Sequence, residues 1–202
     1  MQQQISLHGL QSVRGIEVVD VYAAQIVHEA HGWQKFLLAV SNALVGNSLL
    51  NPAIRVDGFI EVKTGVRTLA AVAGSAKVIL NGRLMSAWRA LPLQPGSRIR
   101  VEAKDEPAFL AFSGLQAGQS NVHAGSGFRV SSAADFDGSI FARYVPQSLI
   151  QACLRGEEKL EDSIQRVVRH IRYACEMAKC GARLVKVKVG DRVYEMWVKE
   201  LD

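Results

Sequence analysis

The stretch that decides the fold is TLAAVAGSAKVILNGR, residues 68–83. Two short apolar runs lead to Asn81-Gly82, a dipeptide typical of a tight β-hairpin because both residues tolerate positive φ. Similar runs lie on both sides and are separated by turn signals such as Pro95-Gly96. Six short strands in about 60 residues favour a barrel or a sandwich. The predicted strands are Ala53–Val56, Phe59–Val62, Thr68–Ala73, Ala76–Leu80, Arg98–Ala103 and Ala108–Ser113.

Helical patterns lie on both sides of this β region. Apolar residues at three- and four-residue spacing, followed by Gly46 at a left-handed C-cap position, predict a helix over residues 34–45. Pro146 can open a second helix. From Glu157 to Lys179 a single apolar stripe, with acidic residues at its start and basic residues toward its end, predicts the longest helix. This stripe needs burial, either on the chain's own barrel or against a second copy of the chain.

The chain divides into three segments that we expect to form one compact unit. Residues 1–50 hold a strand, Gly15–Tyr22, and the first helix. Residues 51–140 hold the barrel-like β region and a polar, Gly-rich stretch, Gly114–Gly138; loops of this length are usually functional or disordered. Residues 141–202 hold the C-terminal helices and a closing hairpin. The strands of that hairpin are Leu184–Val189 and Arg192–Val198.

Composition excludes several classes of protein. The 202 residues include 24 Lys and Arg against 19 Asp and Glu, a net charge of +5. The basic residues are dispersed and do not interleave with aromatic ones, which disfavours a nucleic-acid binder. Three Cys without a CxxC pair argue against disulfides and structural zinc. With no signal-like N-terminus and no 18-residue apolar run, we expect a cytoplasmic protein without a membrane span.

Two short motifs are similar to known metal or phosphate sites but lack the residue spacing that those sites require. His28 and His31 are three residues apart, whereas a zinc-protease helix needs two His four residues apart on one face. We therefore expect no metal site there. Gly125-Ser126-Gly127 is similar to part of a phosphate cradle, but no Lys-Ser/Thr pair or helix start follows it. Cys153 and Cys175 lie on helical patterns and are expected to be core residues rather than nucleophiles.

Several motifs in the middle of the chain follow one another in a recognisable order: Asn42-Ala43-Leu44-Val45-Gly46-Asn47, Leu80-Asn81-Gly82-Arg83, Trp88-Arg89, Pro95-Gly96 and Phe109-Leu110-Ala111-Phe112-Ser113-Gly114. Their order and spacing resemble the KipA family, also called allophanate hydrolase subunit 2. That family includes a component of 5-oxoprolinase and the carboxyltransferase region of urea carboxylase. The resemblance covers about residues 37–114. Gly9-Leu10-Gln11 and the closing hairpin resemble the two ends of the family.

This resemblance implies a cyclophilin-like antiparallel β-barrel, a KipI-like partner subunit and small amide or ureido substrates. The residues themselves indicate no bound cofactor, and by the resemblance alone ATP or biotin is a possible one. The chain departs from the family at polar positions. Gln34 stands where the family has Asp, Ser12-Val13 stands for Gln-Asp, and no Gly-Ser-Arg-Ser-Thr stretch occurs near Ser120-Asn121. We therefore transfer no catalytic residue.

We expect a mainly β, α+β protein that is KipA-like and binds a small ligand or a partner. An active subunit of an amidohydrolase or carboxyltransferase complex is the alternative, so enzymatic activity is left open. Arg89 is the predicted anion-binding residue, with Asn121 and His123 on the Gly-rich loop adding hydrogen bonds. The other interpretation of Arg89 is stacking on Trp88 at the barrel rim. No acidic residue lies between Glu106 and Asp135, which favours binding over acid–base catalysis.

Overall fold

The computed structural model describes residues 15–118, 120–133 and 136–199. It has the predicted α+β, cyclophilin-like architecture: a mostly antiparallel sheet curls into a half barrel, and helices pack on one side of it. The strands are β1 Ile16–Val27, β2 Ala53–Thr64, β3 Thr68–Ala73, β4 Ala76–Leu80, β5 Arg83–Met85, β6 Ala90–Leu93, β7 Arg98–Ala103, β8 Ala108–Phe112, β9 Gly127–Phe128, β10 Arg183–Val189 and β11 Arg192–Val198. The helices are α1 Gly32–Val45, α2 Gln147–Leu154 and α3 Leu160–Lys179, with a 3₁₀ segment at Gly138–Ala142.

The curl of the sheet comes from the long strand β2. Its first half pairs with β8 and its second half with β7, while β1 runs along its whole length. At the bend, a Cβ on Gly58 would lie 2.5 Å from the carbonyl oxygen of Tyr22, so only glycine fits. Ala23, with φ 56°, forms a register shift in β1 at the same place. Such bulges bend a strand and increase its twist. The full order is β5-β4-β7-β2-β8-β3-β6, with β9 added to β1.

The predicted hairpin at Asn81-Gly82 is confirmed. Leu80 pairs directly with Arg83, and the two turn residues have φ of 49° and 78°, as a type I′ turn requires. The side-chain oxygen of Asn81 also accepts a hydrogen bond from the backbone N–H of Arg98 at 2.8 Å. The closing hairpin is confirmed as well, because β10 and β11 pair from Arg183↔Val198 to Val189↔Arg192.

Three short strands were not predicted, and two predicted strands are one. β5, β6 and β9 are only two to four residues long, below the length at which apolar alternation becomes visible. Pro92 made β6 hard to recognise as a strand in the sequence. Proline is tolerated at a sheet edge, and β6 lies at one end of the strand order, next to β3. Ala53–Val56 and Phe59–Val62 join through Asp57-Gly58 into β2. The first strand continues to Val27, and the long helix begins at Leu160 rather than Glu157.

Helix α1 lies between the sheet and α3. Its predicted C-cap is confirmed, since Gly46 has φ 79°. Apolar residues of α1 pack on β3 and β8 on one side and on α3 on the other. The stripe of α3 is therefore buried within the chain, but against α1 and the 3₁₀ segment rather than on the barrel. Its buried members are Ser163, Ile164, Val167, Ile171, Ala174 and Cys175.

A second core fills the inside of the curl. Its larger members are fully buried side chains of β1, β2, β6, β7 and β8, together with Phe128 of β9. Two cores on opposite faces of one sheet explain why β3 and β8 are buried at every position. Across the described ranges, no helix has both the length and the apolar character needed to span a membrane.

Candidate ligand-binding site

A cleft with a volume of about 970 Å³ lies between the helical layer and the closing hairpin. Four parts of the chain form its walls: the connection from β5 to β6, the stretch from the 3₁₀ segment into α2, α3, and the hairpin β10–β11. Its size is in the range of small-molecule sites. Arg89, the predicted anion-binding residue, is on its wall.

The backbone around Arg89 is fixed on both sides. Trp88 has φ 64°, a left-handed conformation; its N–H donates to the carbonyl of Val72 at 2.7 Å, and its carbonyl accepts from Val145 at 2.8 Å. Arg89 then forms an antiparallel bridge with Tyr144. Residues paired directly across such a bridge place their side chains on the same face, and both side chains line the cleft.

The guanidinium of Arg89 is available to a ligand. Within residues 15–118, 120–133 and 136–199 it has no hydrogen-bond or ion-pair partner. Stacking on Trp88 is not the observed arrangement, because that indole packs against Trp33 and Phe36, with ring centroids 6.4 and 6.2 Å away. A half-buried, unpaired arginine with planar donors is suited to a carboxylate or another small anion.

Three titratable side chains line the same cleft as Arg89. The phenol of Tyr144 donates to Glu195 at 3.4 Å, and its ring meets the ring of His170 edge-on at 5.4 Å. Burial, together with the nearby carboxylate of Glu195, raises the pKa of Tyr144 to about 12. Burial lowers the pKa of His170, although Glu195 opposes the shift. His170 is therefore neutral at pH 7, and its Nε2 is buried without a partner among the described residues.

Aromatic rings form much of the cleft wall. Six of the chain's 14 Trp, Tyr and Phe residues line it, and they come from all four wall elements. Such rings bind flat or apolar groups through their faces and attract cations. The six are Trp88, Phe141, Tyr144, Tyr173, Tyr194 and Trp197.

The structure does not bring Asn121 and His123 to this cleft. Asn121 bridges Gln25 on β1, and the N–H of His123 donates to the hydroxyl of Ser126 at 3.1 Å. The Gly-rich loop instead lines a separate cleft of about 550 Å³ beside β9. The backbone N–H groups of Gly125 and Ser126 are bonded to Val18 and His123, so they do not form a phosphate cradle. Loop composition alone could not reveal which end of the sheet the loop covers.

The other sequence motifs occupy ordinary positions. His28 and His31 line a small, mostly apolar cleft next to the ion pair of Lys35 with Glu161. Among the residues that the structure describes, no three His, Cys, Asp or Glu side chains converge as metal ligands. Burial raises the pKa of the thiols of Cys153 and Cys175, which suits core residues. All three cysteines of the chain are free.

Sequence reasoning missed Tyr144, His170 and Glu195. His170 is one residue before a buried stripe position, and Tyr144 precedes the helix-opening Pro146, so neither carries a motif. Glu195 belongs to a hairpin whose contact with Tyr144 has no local signal in the sequence. The alternation of side chains along the two strands offered a clue. It places the charged residues Lys186 and Glu195 opposite each other on one face of the hairpin.

Comparisons with known proteins agree at the level of fold. No protein-family model matches the chain, and no curated protein matches it. Among solved structures, TTHA0988 is 16% identical with a TM-score of 0.56 and covers 67% of this chain and 33% of its own. Urea carboxylase from Kluyveromyces lactis is 13% identical with a TM-score of 0.56, covering 70% of this chain and 16% of its own. Urea amidolyase from K. lactis is 15% identical with a TM-score of 0.55, covering 70% and 11%.

The chain thus spans about a third or less of the length of these three proteins. At identities of 13–16%, the likeness establishes a shared fold with regions of urea carboxylase and urea amidolyase.

Proposed function

We propose that the chain is a diverged KipA-like protein, similar to allophanate hydrolase subunit 2, that binds a small ligand in the aromatic cleft. The ligand combines a carboxylate with an amide, lactam or ureido group. The carboxylate binds Arg89, and the body of the ligand lies against the aromatic wall. Asn121 and His123 are not part of the proposed binding site.

The unpaired guanidinium of Arg89 is the observation that carries the proposal. The backbone of the preceding residue, Trp88, is bonded to Val72 and Val145. Arg89 itself bridges Tyr144, so the cation is presented from a fixed backbone. Arginine binds carboxylates through two parallel N–H donors, an interaction stronger than one between neutral groups. The fold shared with urea carboxylase and urea amidolyase regions supports the amide or ureido half of the ligand.

The cleft fits neither cofactor of the resembling family well. A triphosphate needs several cations or a row of backbone N–H donors. On the described wall the cationic side chains are Arg89 and Lys186, and the carboxylate of Glu195 would repel an anion. The ureido ring of biotin is neutral and gives Arg89 no anionic partner. The proposal therefore includes no step through ATP or biotin.

Calorimetric titration tests the proposal. The probes are 5-oxoproline and allophanate, matched with 2-pyrrolidinone and biuret, which lack the carboxylate. We expect only the two carboxylates to bind. Arg89→Ala should lower the affinity for them by roughly tenfold or more. Arg83→Ala, an exposed arginine outside the cleft, is the matched control. Failure of both carboxylates to bind, or unchanged binding to Arg89→Ala, would contradict the proposal.

An active enzyme subunit is the second candidate, and one observation favours it. Tyr144, His170 and Glu195 are titratable, contact one another through Tyr144 and line the same cleft as Arg89. A neutral histidine near a carbonyl group is a candidate general base. Hydrolysis of 5-oxoproline or allophanate that requires His170, measured with a KipI-like subunit present, would support this candidate over binding alone.

Assembly and location belong to the same proposal. A KipI-like subunit or a second copy of the chain would cover exposed apolar residues of the hairpin, among them Val187, Val189 and Met196. The three free cysteines support a cytoplasmic, reducing location. Light scattering distinguishes the 22.1 kDa monomer from a dimer.

A further inference from the structure

The cleft carries charged groups of opposite sign on two different walls. Arg89 comes from the connection between β5 and β6, and Glu195 comes from the middle of β11. They do not form an ion pair with each other in the described structure. Tyr144 lies between them, because it is the backbone partner of Arg89 and its phenol donates to Glu195. A ligand in the cleft therefore meets a cation at one wall and a carboxylate at the other.

The carboxylate of Glu195 retains spare capacity to accept hydrogen bonds. Within the described part of the chain its polar contacts are long: 3.4 Å to the phenol of Tyr144 and 3.8 Å to the ammonium of Lys186. Ordinary O–H···O bonds measure about 2.7–2.8 Å, and an ionised carboxylate offers about four lone-pair sites. The side chain of Glu195 is 40% exposed, so a ligand can reach it.

The surroundings favour an N–H donor over a second anion at this position. The high pKa of Tyr144, about 12, keeps its phenol protonated, and the low pKa of His170 keeps that ring neutral at pH 7. Lys186 is thus the remaining cation beside Glu195, and it is itself 73% exposed to solvent. The aromatic faces of the cleft, Trp197 among them, also attract positively charged groups.

We propose that Glu195 is the second ligand-contacting residue of the cleft and selects ligands that carry an N–H donor, neutral or cationic, beside their carboxylate. This inference rests on the proposed binding of a carboxylate at Arg89. The ligand is held at two poles: its carboxylate on Arg89 and its N–H group on Glu195. Selectivity then comes from the unpaired polar groups that a wrong ligand leaves in the cleft.

Three five-membered ring carboxylates test the inference by calorimetric titration. Proline carries a ring ammonium group, 5-oxoproline carries a lactam N–H, and tetrahydrofuran-2-carboxylate carries a ring oxygen that cannot donate. The wild-type chain should bind at least one of the two N–H ligands roughly tenfold more tightly than the oxygen analogue. Whichever of the two binds better identifies the donor as cationic or neutral.

Glu195→Gln keeps the shape of the side chain and removes its charge. We expect it to lose roughly tenfold affinity for the preferred N–H ligand and to bind tetrahydrofuran-2-carboxylate as the wild type does. Glu106→Gln, an exposed acid outside the cleft, should change neither. Arg89→Ala should weaken all three ligands.

The outcomes separate this inference from the proposed function. If Arg89→Ala weakens the ligands but the oxygen analogue binds as tightly as both N–H ligands, or Glu195→Gln binds like the wild type, Glu195 has no selecting role and the carboxylate site at Arg89 stands. If none of the three ring carboxylates binds, the selecting role of Glu195 is overturned. If allophanate also fails to bind, or Arg89→Ala leaves binding unchanged, the proposed function is overturned as well.

Discussion

The phenol of Tyr144 donates a hydrogen bond of 3.4 Å to the carboxylate of Glu195. This contact joins the segment after the 3₁₀ segment to the closing hairpin, which is otherwise a separate two-stranded sheet. Isolated hairpins are marginally stable in water. The docking of β10–β11 on the body, and with it one wall of the cleft, therefore depends on a few contacts of this kind.

Tyr144→Phe should remove an alkaline loss of stability. The folded pKa of about 12 exceeds the ordinary value of 10, so the folded chain holds its phenolic proton more tightly than the unfolded chain. The stabilisation is fully present below pH 10 and is lost as pH rises from about 10 to 12. Denaturant unfolding across this range should show a smaller loss for Tyr144→Phe than for the wild type. Equal losses would mean that the phenol is not perturbed.

His170 should make the folded chain lose stability as the pH falls, whereas Tyr144 does so as the pH rises. Burial lowers its folded pKa below the ordinary 6.5, so the unfolded chain binds the proton more readily. Its contribution is fully present above about pH 6.5 and is lost as pH falls through the interval down to the folded pKa. His170→Gln should therefore lose less unfolding free energy between pH 7 and 5 than the wild type. His123→Gln, an exposed ring, is the matched control; a pH dependence shared by all three chains would contradict the prediction.

Replacing Asn47 should lower the stability of the fold without a loss of ligand binding. Its amide donates to Asn42 and to the carbonyl of Phe112, both at 2.9 Å, and accepts from Gly114 at 2.8 Å. Asn47→Ala leaves part-buried backbone groups of β8 unpaired and should cost about 2 kcal/mol of unfolding free energy. Urea denaturation would measure it. Asn121→Ala, whose side chain is exposed, should stay within about 0.5 kcal/mol.

Local patterns predicted the elements of this fold, whereas the site depends on contacts that no local pattern encodes. Asn81, Gly82 and Gly46 all have positive φ. Asparagine and glycine tolerate this conformation better than other residues, so the residue type itself predicted it. Arg89 was found through its place in a family-like motif order. Glu195 is 106 positions further along the chain, and the two line one cleft only because the closing hairpin lies beside the segment that carries Tyr144. Asn121 and His123 were attractive polar residues on a long loop, but composition gives no information on where a loop lies.

The metal prediction remains open to direct measurement. His28 and His31 lie at the edge of a small, mostly apolar cleft, in the non-helical connection between β1 and α1, so they do not form the i, i+4 helical pair of a zinc-protease motif. Elemental analysis of the purified chain should find no stoichiometric zinc. Zinc that is present in the wild type and lost in both His28→Ala and His31→Ala would contradict the prediction, whereas zinc retained in both variants would indicate a different site.

Ile171 tests the packing of the longest helix. It is 5% exposed and lies on the stripe that α3 buries against α1 and the 3₁₀ segment. Ile171→Asp places an unpaired carboxylate in that apolar contact and should cost roughly 3 kcal/mol or more, measured as unfolding free energy in urea. Ile171→Ala, which leaves only a cavity, should cost about 2 kcal/mol or more and keeps the test interpretable if the aspartate variant does not fold.

Arg169→Asp is the control on the exposed face of the same helix, and it should cost at most about 1 kcal/mol. Because His170 adjoins Ile171 in the chain and lines the cleft, a displaced α3 would also move the wall opposite Arg89. Ile171→Ala should accordingly bind 5-oxoproline more weakly than the wild type, while Arg169→Asp binds it equally. An unchanged melting temperature for Ile171→Asp would show that this helix face is exposed in solution and that α3 does not form the wall of the cleft.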